Sequence, residues 1–324
     1  SEHFEKKLNK KNLVEIIEKM IFHQDEPISD PVCFPIYYVS KLAISKKVKV
    51  CQVGEGADEL FFGYSNWART IKLNKIFNNF LFFRIFKKVL KFFMTLFKLD
   101  HIYSHDLLSR SIKRLPIFWS GAEAFSESEK KRILSERMKK KFINRSSWKI
   151  IEPYFKIFNK TAKYNNLANW MTYIDLKLRL PELLLMRIDK MSMACGLEAR
   201  VPFLDHVLIS KMIDIPKDIK FKNQNLKCLL KDCVKGLIPD IIINRKKQGF
   251  GLPLKDWFSD GLGINEGEIV MSFVRETNYF DENEVQKIIS KRKSDTRIWF
   301  LLNLAIWWKI FIQKKTYLNF VNSK

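Results

Sequence analysis

The sequence predicts an α/β fold in which a strand and a ligand loop near the beginning are followed by a mostly helical C-terminal part. Three observations lead there. Val48–Val53 (V-K-V-C-Q-V) is a β-branched run bounded by Lys46-Lys47 and Gly54, the pattern of a short buried strand. Gly54-Glu55-Gly56-Ala57-Asp58-Glu59 follows at once, placing a glycine-bearing acidic loop at the strand's C-terminal end, the edge where open α/β sheets bind ligands. From Trp67 onward no second buried strand is convincing, and helical periodicity dominates.

Residues 12–22 (N-L-V-E-I-I-E-K-M-I-F) set Leu13, Ile16, Ile17 and Met20 on one helical face, with Asn12 as the N-cap. Pro27, Pro31 and Pro35 punctuate D-E-P-I-S-D-P-V-C-F-P, after which Ile36–Ser45 runs as a helix into the strand. A further helix begins near Leu60. Residues 71–99 are dense in phenylalanine and interrupted by Arg84, Lys87, Lys88 and Lys91. Their uncharged run, Ile76–Phe83, is far short of the ~20 residues that a spanning helix needs. Two readings stay open for this stretch: a basic amphipathic helix making peripheral contact with an anionic membrane, or a helical pair packed on the core. Arg297–Ile312 (R-I-W-F-L-L-N-L-A-I-W-W-K-I-F-I) is apolar nearly all round and reads as a buried helix.

A chain of 324 residues, 47% of them hydrophobic, is long enough to bury a large core. Its five cysteines include no C-x-x-C pair, which argues against a disulfide framework and a zinc site and fits a reducing, cytoplasmic setting. Neither H-E-x-x-H nor G-x-S-x-G occurs, so hydrolase readings have little support. The net charge of +23 comes largely from lysines spread along the chain, with no accompanying nucleic-acid signature, and reads as a solvated surface rather than a specific nucleic-acid interface. There is no signal peptide, internal repeat or low-complexity linker.

At the loop, Gly54 and Gly56 permit positive φ and close approach of backbone amides to a ligand. Glu55, Asp58 and Glu59 would repel a phosphate unless a hard cation lies between, and Mg²⁺ bound through one or two carboxylates plus substrate oxygens meets that requirement. The plainer alternative is a solvated acidic turn that caps the next helix.

Two further motifs follow V-G-E-G-A-D-E-L-F-F-G-Y (Val53–Tyr64): M-R-I-D-K-M-S-M-A-C-G-L-E-A-R-V-P-F-L-D-H (Met186–His206) and N-R-K-K-Q-G-F-G-L-P (Asn244–Pro253). Together, from about Phe22 to about Ile312, they closely resemble the synthetase domain of the asparagine synthase family. The resemblance implies an adenine-nucleotide α-hydrolase-like parallel sheet of the PP-loop ATP pyrophosphatase type. Residues 1–66 would be the C-terminal half of the nucleotide-binding unit and 67–320 the mostly helical part. It implies ATP and Mg²⁺ as cofactors, and aspartate or another carboxylate as a substrate that is adenylated and then attacked by ammonia. That ammonia would come from a glutaminase domain or partner. Such a domain and the family's S-G-G-x-D-S pyrophosphate loop are expected upstream of these residues, since no glycine precedes Gly54. The isolated chain is accordingly expected not to make an amide.

By resemblance, Glu55 is the general base on ammonia, because a nitrogen nucleophile must lose a proton as it attacks. Asp58 holds Mg²⁺, with Glu59 as a second metal candidate or a helix cap, and Gly54, Glu55, Gly56 and Asp58 shape the nucleotide site. Lys190 and Lys247 match basic positions of the family, Lys247 being the choice for stabilising the charged intermediate. Arg187 and Arg245 are candidate anion clamps, and Asp189 and Glu198 candidates to pin those cations or contact a substrate amine. Arg200, Pro202 and Asp205 read as architecture. Two departures stand out: Val53 replaces a serine of the family's S-G-E-G, and Phe62 replaces the first glycine of F-G-G-Y, which puts a bulky side chain near the loop. Besides an asparagine synthase-like ligase, two alternatives remain: an amidotransferase acting on a sugar carboxylate in surface-polysaccharide assembly, and a degenerate module without chemistry.

Overall fold

In the computed structural model, which describes residues 2–79, 84–97, 99, 103–222, 225–245, 249–291 and 295–315, the chain enters its first helix slightly earlier than its periodicity predicts. Helix α1 is Lys10–Gln24 and its N-cap is Asn9, correcting Asn12. The Asn12 amide donates to the Asn9 side chain at 3.1 Å, and the Asn9 amide donates to the Asn12 side chain at 3.3 Å, so Asn12 is the inner half of a reciprocal capping box. Helix α2 (Cys33–Ser45) follows the proline-punctuated segment.

Strand β1 is only Val50–Gln52, and Val48 and Val50 are exposed, so the buried six-residue run is corrected at both its length and its burial. Its partner, β2 (Glu198–Arg200), lies parallel to it, with Val50 opposite Glu198 and Gln52 opposite Arg200. Sequence reasoning missed β2 because E-A-R carries no apolar or β-branched signal. The ladder continues past both ends: the Glu198 amide donates to the Lys49 carbonyl at 2.9 Å and the Val53 amide to the Arg200 carbonyl at 2.8 Å. A two-stranded sheet is marginal alone, and this one depends on the helices that deliver its strands.

After β1 the chain runs through α3 (Ala57–Phe61), α4 (Ser65–Asn79), α5 (Arg84–Leu96), α6 (Tyr103–Ile112), α7 (Leu167–Ile174), α8 (Met186–Met193) and α9 (Arg297–Trp307), with further helices between them, among them Trp148–Thr161 and Glu266–Thr277. Between α7 and α8 the backbone runs through wider π-helical turns at Asp175–Leu185. Helix α8 packs on α1 and α2 and leads directly into β2, while α9 packs on α1 and on the helix Glu266–Thr277. The main core joins Leu13 and Ile17 of α1, Phe34 of α2, Met191 of α8, and Trp299 and Leu302 of α9, drawing on both sides of position 66. As expected, α9 is buried along most of its length. Beyond it Trp308–Ile312 takes wider π-helical turns, and Ile312 is exposed. The α9 indoles also fix the D-E-P-I-S-D-P segment: Trp299 Nε1 donates to the Ser29 carbonyl at 2.9 Å, and Trp307 Nε1 to the Asp25 carbonyl at 2.8 Å.

Phe62 does not crowd the loop. It ends α3 in the left-handed region, φ 58°, where glycine is the usual residue, and sends its ring into a second core. The ring meets Trp67 edge-on at 5.2 Å and stacks on Phe221 at 5.4 Å. A left-handed phenylalanine costs ~1–2 kcal/mol, less than burying such a side chain contributes. Val53 likewise packs against the main core, keeping its ladder bond while lacking the hydroxyl.

Helix α5 departs from a core-packed pair. Its polar stripe faces the protein, with Lys87 Nζ 3.0 Å from Ser111 Oγ and Thr95 Oγ1 3.4 Å from His105 Nε2, both partners on α6. Ile85, Phe92, Leu96 and Phe97 face outward, 77, 64, 61 and 68% exposed. Residues 80–83, in the middle of the predicted pair, lie outside the described residues. Among the described residues no helix is long and apolar enough to cross a membrane.

Two stability effects follow. Phe62→Gly relieves the left-handed strain but empties the space beside Trp67 and Phe221. Since Phe→Ala in a core costs ~3–5 kcal/mol, the net loss in urea unfolding should be about 1–4 kcal/mol. Glu18, on α1, is buried, and neither of its carboxylate oxygens has a hydrogen-bond partner among the described residues. Burial pushes its carboxyl up to about 7, against the partial pull of Lys309. With the folded value above the unfolded one, this site's stability is full below pH 4.5 and declines as pH rises towards about 7. Thermal melts of Glu18→Gln should gain on the unsubstituted protein across that window, by up to ~3 kcal/mol for a shift of this size, and match it at lower pH.

Candidate functional site

The loop Gly54–Gly56 leaves the C-terminal end of β1 and turns into α3. Gly56 adopts φ +90°, and a Cβ there would come within 2.3 Å of the Leu204 side chain, so P-F-L-D of the second motif presses directly on the loop. Gly54 has open space around its Cβ position and no positive φ, so only Gly56 uses the conformational freedom that both glycines permit. Asp205 caps the next helix, His206–Ile213, by accepting from the Val207 and Leu208 amides, each at 3.0 Å, in keeping with its reading as architecture.

Glu55 is half-buried and its Oε1 accepts from Arg187 Nη2 at 3.1 Å, while Arg187 Nη1 donates to Asp30 Oδ2. One guanidinium thus joins the strand loop, the D-E-P-I-S-D-P segment and α8. Burial opposes the Arg187 charge, but Asp30 and Glu55 outweigh it and raise its pKa. One helical turn on, Lys190 Nζ donates to Asp25 Oδ2 at 2.5 Å, and that bond raises the lysine's pKa. The sequence places Arg187 and Lys190 three residues apart on one face of α8, so both meet the same acidic segment. Both terminal nitrogens of Arg187, the candidate anion clamp, are engaged with carboxylates, those of Glu55 and Asp30. The cations are pinned by Asp30 and Asp25, neither assigned a role from the sequence although D-E-P-I-S-D-P was visible there; Asp189 is exposed.

Asp58 pairs with Lys227 at 2.8 Å. A Cβ on Gly63 would fall 1.7 Å from Asp58 Oδ1 and 2.5 Å from Lys227 Cε, so the missing side chain at Gly63 makes room for the pair. Lys227 belongs to none of the motifs, and no sequence signal distinguished it. Glu59 points the other way, inward, 1% exposed, accepting from the Tyr64 hydroxyl at 2.5 Å. Burial raises its pKa, with the Tyr64 bond and Arg179 partly offsetting. The Arg179 guanidinium stacks 4.6 Å from the Tyr64 ring and pairs with Asp175 at 3.3 Å, within the π-helical turns. Glu59 is therefore not presented to a cation; its carboxylate anchors α3 to the helical core.

The remaining sequence candidates are not drawn to this cluster. Glu198 pairs with Arg200 at 2.7 Å on the exposed surface of β2. Its register opposite Val50 puts it ~13 Å of strand from Gly54. Arg245 is exposed after the short helix Asp240–Ile243, with no ion pair among the described residues. Lys247 lies outside the described residues. Among the described residues no group of three or more acidic, histidine or cysteine side chains makes a metal cage. Asp58, a partly exposed carboxylate at the loop, fits a Mg²⁺ ion that takes most of its ligands from nucleotide oxygens and water, and Glu59 does not.

The sequence profile of the asparagine synthase family matches residues 1–309. Asparagine synthetase [glutamine-hydrolyzing] 1 of Bacillus subtilis (strain 168) is 31% identical over 97% of this chain, which corresponds to 48% of that protein. Asparagine synthetase [glutamine-hydrolyzing] 3 of the same organism is 42% identical over 67 residues, 21% of this chain and 11% of that protein. The chain spans about half the length of the first of these relatives. With the profile matching nearly every residue and one relative aligned along almost the whole chain, the chain belongs to the asparagine synthase family.

Proposed function

We propose that this chain is the carboxylate-activating, amide-forming part of an ATP-dependent ligase, with aspartate as the acceptor and asparagine as the product. The observation that carries the reading is the held carboxylate: Glu55 sits on the loop at the C-terminal end of β1, oriented by Arg187, which is itself oriented by Asp30. Amide formation from a carboxylate needs a better leaving group than oxide. ATP supplies it by leaving AMP on the acid as an acyl-adenylate and releasing pyrophosphate. Ammonia then attacks the acyl carbon and must shed a proton, and Glu55 is the base in position to take it.

Lys247, by family resemblance, stabilises the charge that builds on the intermediate. Lys190, held by Asp25, adds positive charge along the same edge. Asp58 would hold Mg²⁺ in place of Lys227, and the ion would neutralise phosphate charge. The pyrophosphate contacts of an S-G-G-x-D-S loop and glutamine-derived ammonia would come from outside these 324 residues, which contain no such loop. An acceptor carried at a membrane, a sugar carboxylate of a surface glycan, is a second reading favoured by the outward apolar face of α5.

Adenylation takes no proton from the nitrogen donor, so the base is needed only in the second half-reaction. In the intact enzyme, Glu55→Gln should keep pyrophosphate exchange into ATP and lose ~10²- to 10⁴-fold in amide formation. An equal fall in both would reassign Glu55 to the nucleotide. Asp58→Asn should abolish exchange while Lys227→Ala largely preserves it. If the two variants fail alike, the Asp58–Lys227 pair is structural and the metal is held elsewhere.

A further inference from the structure

We propose that α5, with the exposed lysines of α4, forms a docking surface that lies flat on an anionic lipid bilayer. The helix is oriented opposite to a core helix. Around its axis, at ~100° per residue, Arg84, Lys87, Lys88, Lys91 and Thr95 fall in one sector about 100° wide, and the opposite side is occupied by Ile85, Val89, Phe92, Phe93, Leu96 and Phe97. An amphipathic helix on a soluble core turns its apolar side inward. Here Lys87 and Thr95 meet α6, and the apolar side faces away from the protein. Phe93 stacks on Phe97 and touches Phe92 edge-on, so the exposed rings form a contiguous patch. Contiguous exposed patches of this kind mark interaction sites.

Charge identifies the occupant. Residues 60–99 contain eight lysines and arginines and no aspartate or glutamate. Lys72 and Lys75 on α4 and Lys88 on α5 are exposed. A second copy of this chain would oppose the same uncompensated positive charge to itself. An anionic bilayer offers what both features require: an apolar layer beneath the headgroups for the phenylalanine face, and negative charge at the level of the flanking lysines. The thirteen residues of α5 make a rod of ~20 Å, long enough to rest on a leaflet and too short to cross it. This inference rests on the surface alone and stands whether or not the proposed chemistry holds.

The test is co-sedimentation of the purified 324-residue chain with vesicles of equimolar phosphatidylglycerol and phosphatidylcholine, compared with phosphatidylcholine alone, at low and at physiological salt. We expect binding to the anionic vesicles that is at least ~10-fold tighter than to the neutral ones and weakens with salt. Phe92→Glu combined with Leu96→Glu should abolish it while leaving the circular dichroism and melting temperature unchanged, because both side chains are exposed. Lys88→Ala should weaken it ~5-fold. A Phe92→Trp variant should show a blue-shifted emission on adding anionic vesicles. Failure of the chain to sediment with anionic vesicles at low salt, equal sedimentation of the double glutamate variant, or an unshifted tryptophan would each overturn the proposal. So would light scattering that shows a dimer which the double variant converts to monomer, since the face would then be covered by a second copy.

Discussion

The contact on which the arrangement depends is the Arg187 guanidinium between Glu55 and Asp30. It links three stretches of chain that are distant in sequence: the proline-punctuated segment, the strand loop and α8. A half-buried arginine with two carboxylates is stable only when its partners come from rigid neighbours, because removing either leaves charge without compensation in a partly desolvated place. The rigidity is visible. The acidic segment is held by two indole donors from α9, the loop by the parallel ladder and by Leu204 against Gly56, and α8 by its packing on α1 and α2. The main core therefore serves the loop, since α1, α2, α8 and α9 all contribute side chains to it.

Much of this was legible in the sequence, and the parts that were not share a physical cause. Leu13, Ile17 and Met20 announce α1 by spacing, and the Arg297–Ile312 run announces a buried helix by composition. The loop behind β1 was legible because glycines and carboxylates together restrict what a backbone can do there. What stayed hidden depends on long-range pairing. Glu198-Ala199-Arg200 is a strand only because Lys49–Val53 lies beside it. Asp30 and Asp25 become partners of Arg187 and Lys190 only once α8 is laid across α2. Lys227 meets Asp58 through a loop that no local pattern predicts.

Phe62 shows how a departure from a motif can be absorbed elsewhere. The F-G-G-Y motif that the chain resembles carries a glycine at the end of α3, and the backbone has the left-handed conformation that a glycine would adopt. The chain tolerates the strain because the side chain leaves the loop for a pocket between Trp67 and Phe221, joining a core that Phe118 and Trp170 extend. Local geometry and distant packing have been traded against each other, and the loop is left uncrowded. Glu59 makes the same move with a charge. It takes an acidic position that reads as part of the site and uses it to tie α3 through Tyr64 and Arg179 to the π-helical turns.

These substitutions bear on whether the chain retains chemistry. A module that had lost its function would be free to lose the pairings that orient Glu55 first, because a half-buried ion pair contributes little to stability and can be replaced by apolar residues without penalty. Instead the pairings around Glu55 are kept, with Arg187 donating to both Glu55 and Asp30, while Val53 and Phe62 pack against the two cores. Keeping a charged triad at the mouth of a loop serves orientation better than it serves stability. Fixed orientation is what the proposed chemistry asks of Glu55, and the retained pairing weighs against the degenerate reading on physical rather than familial grounds.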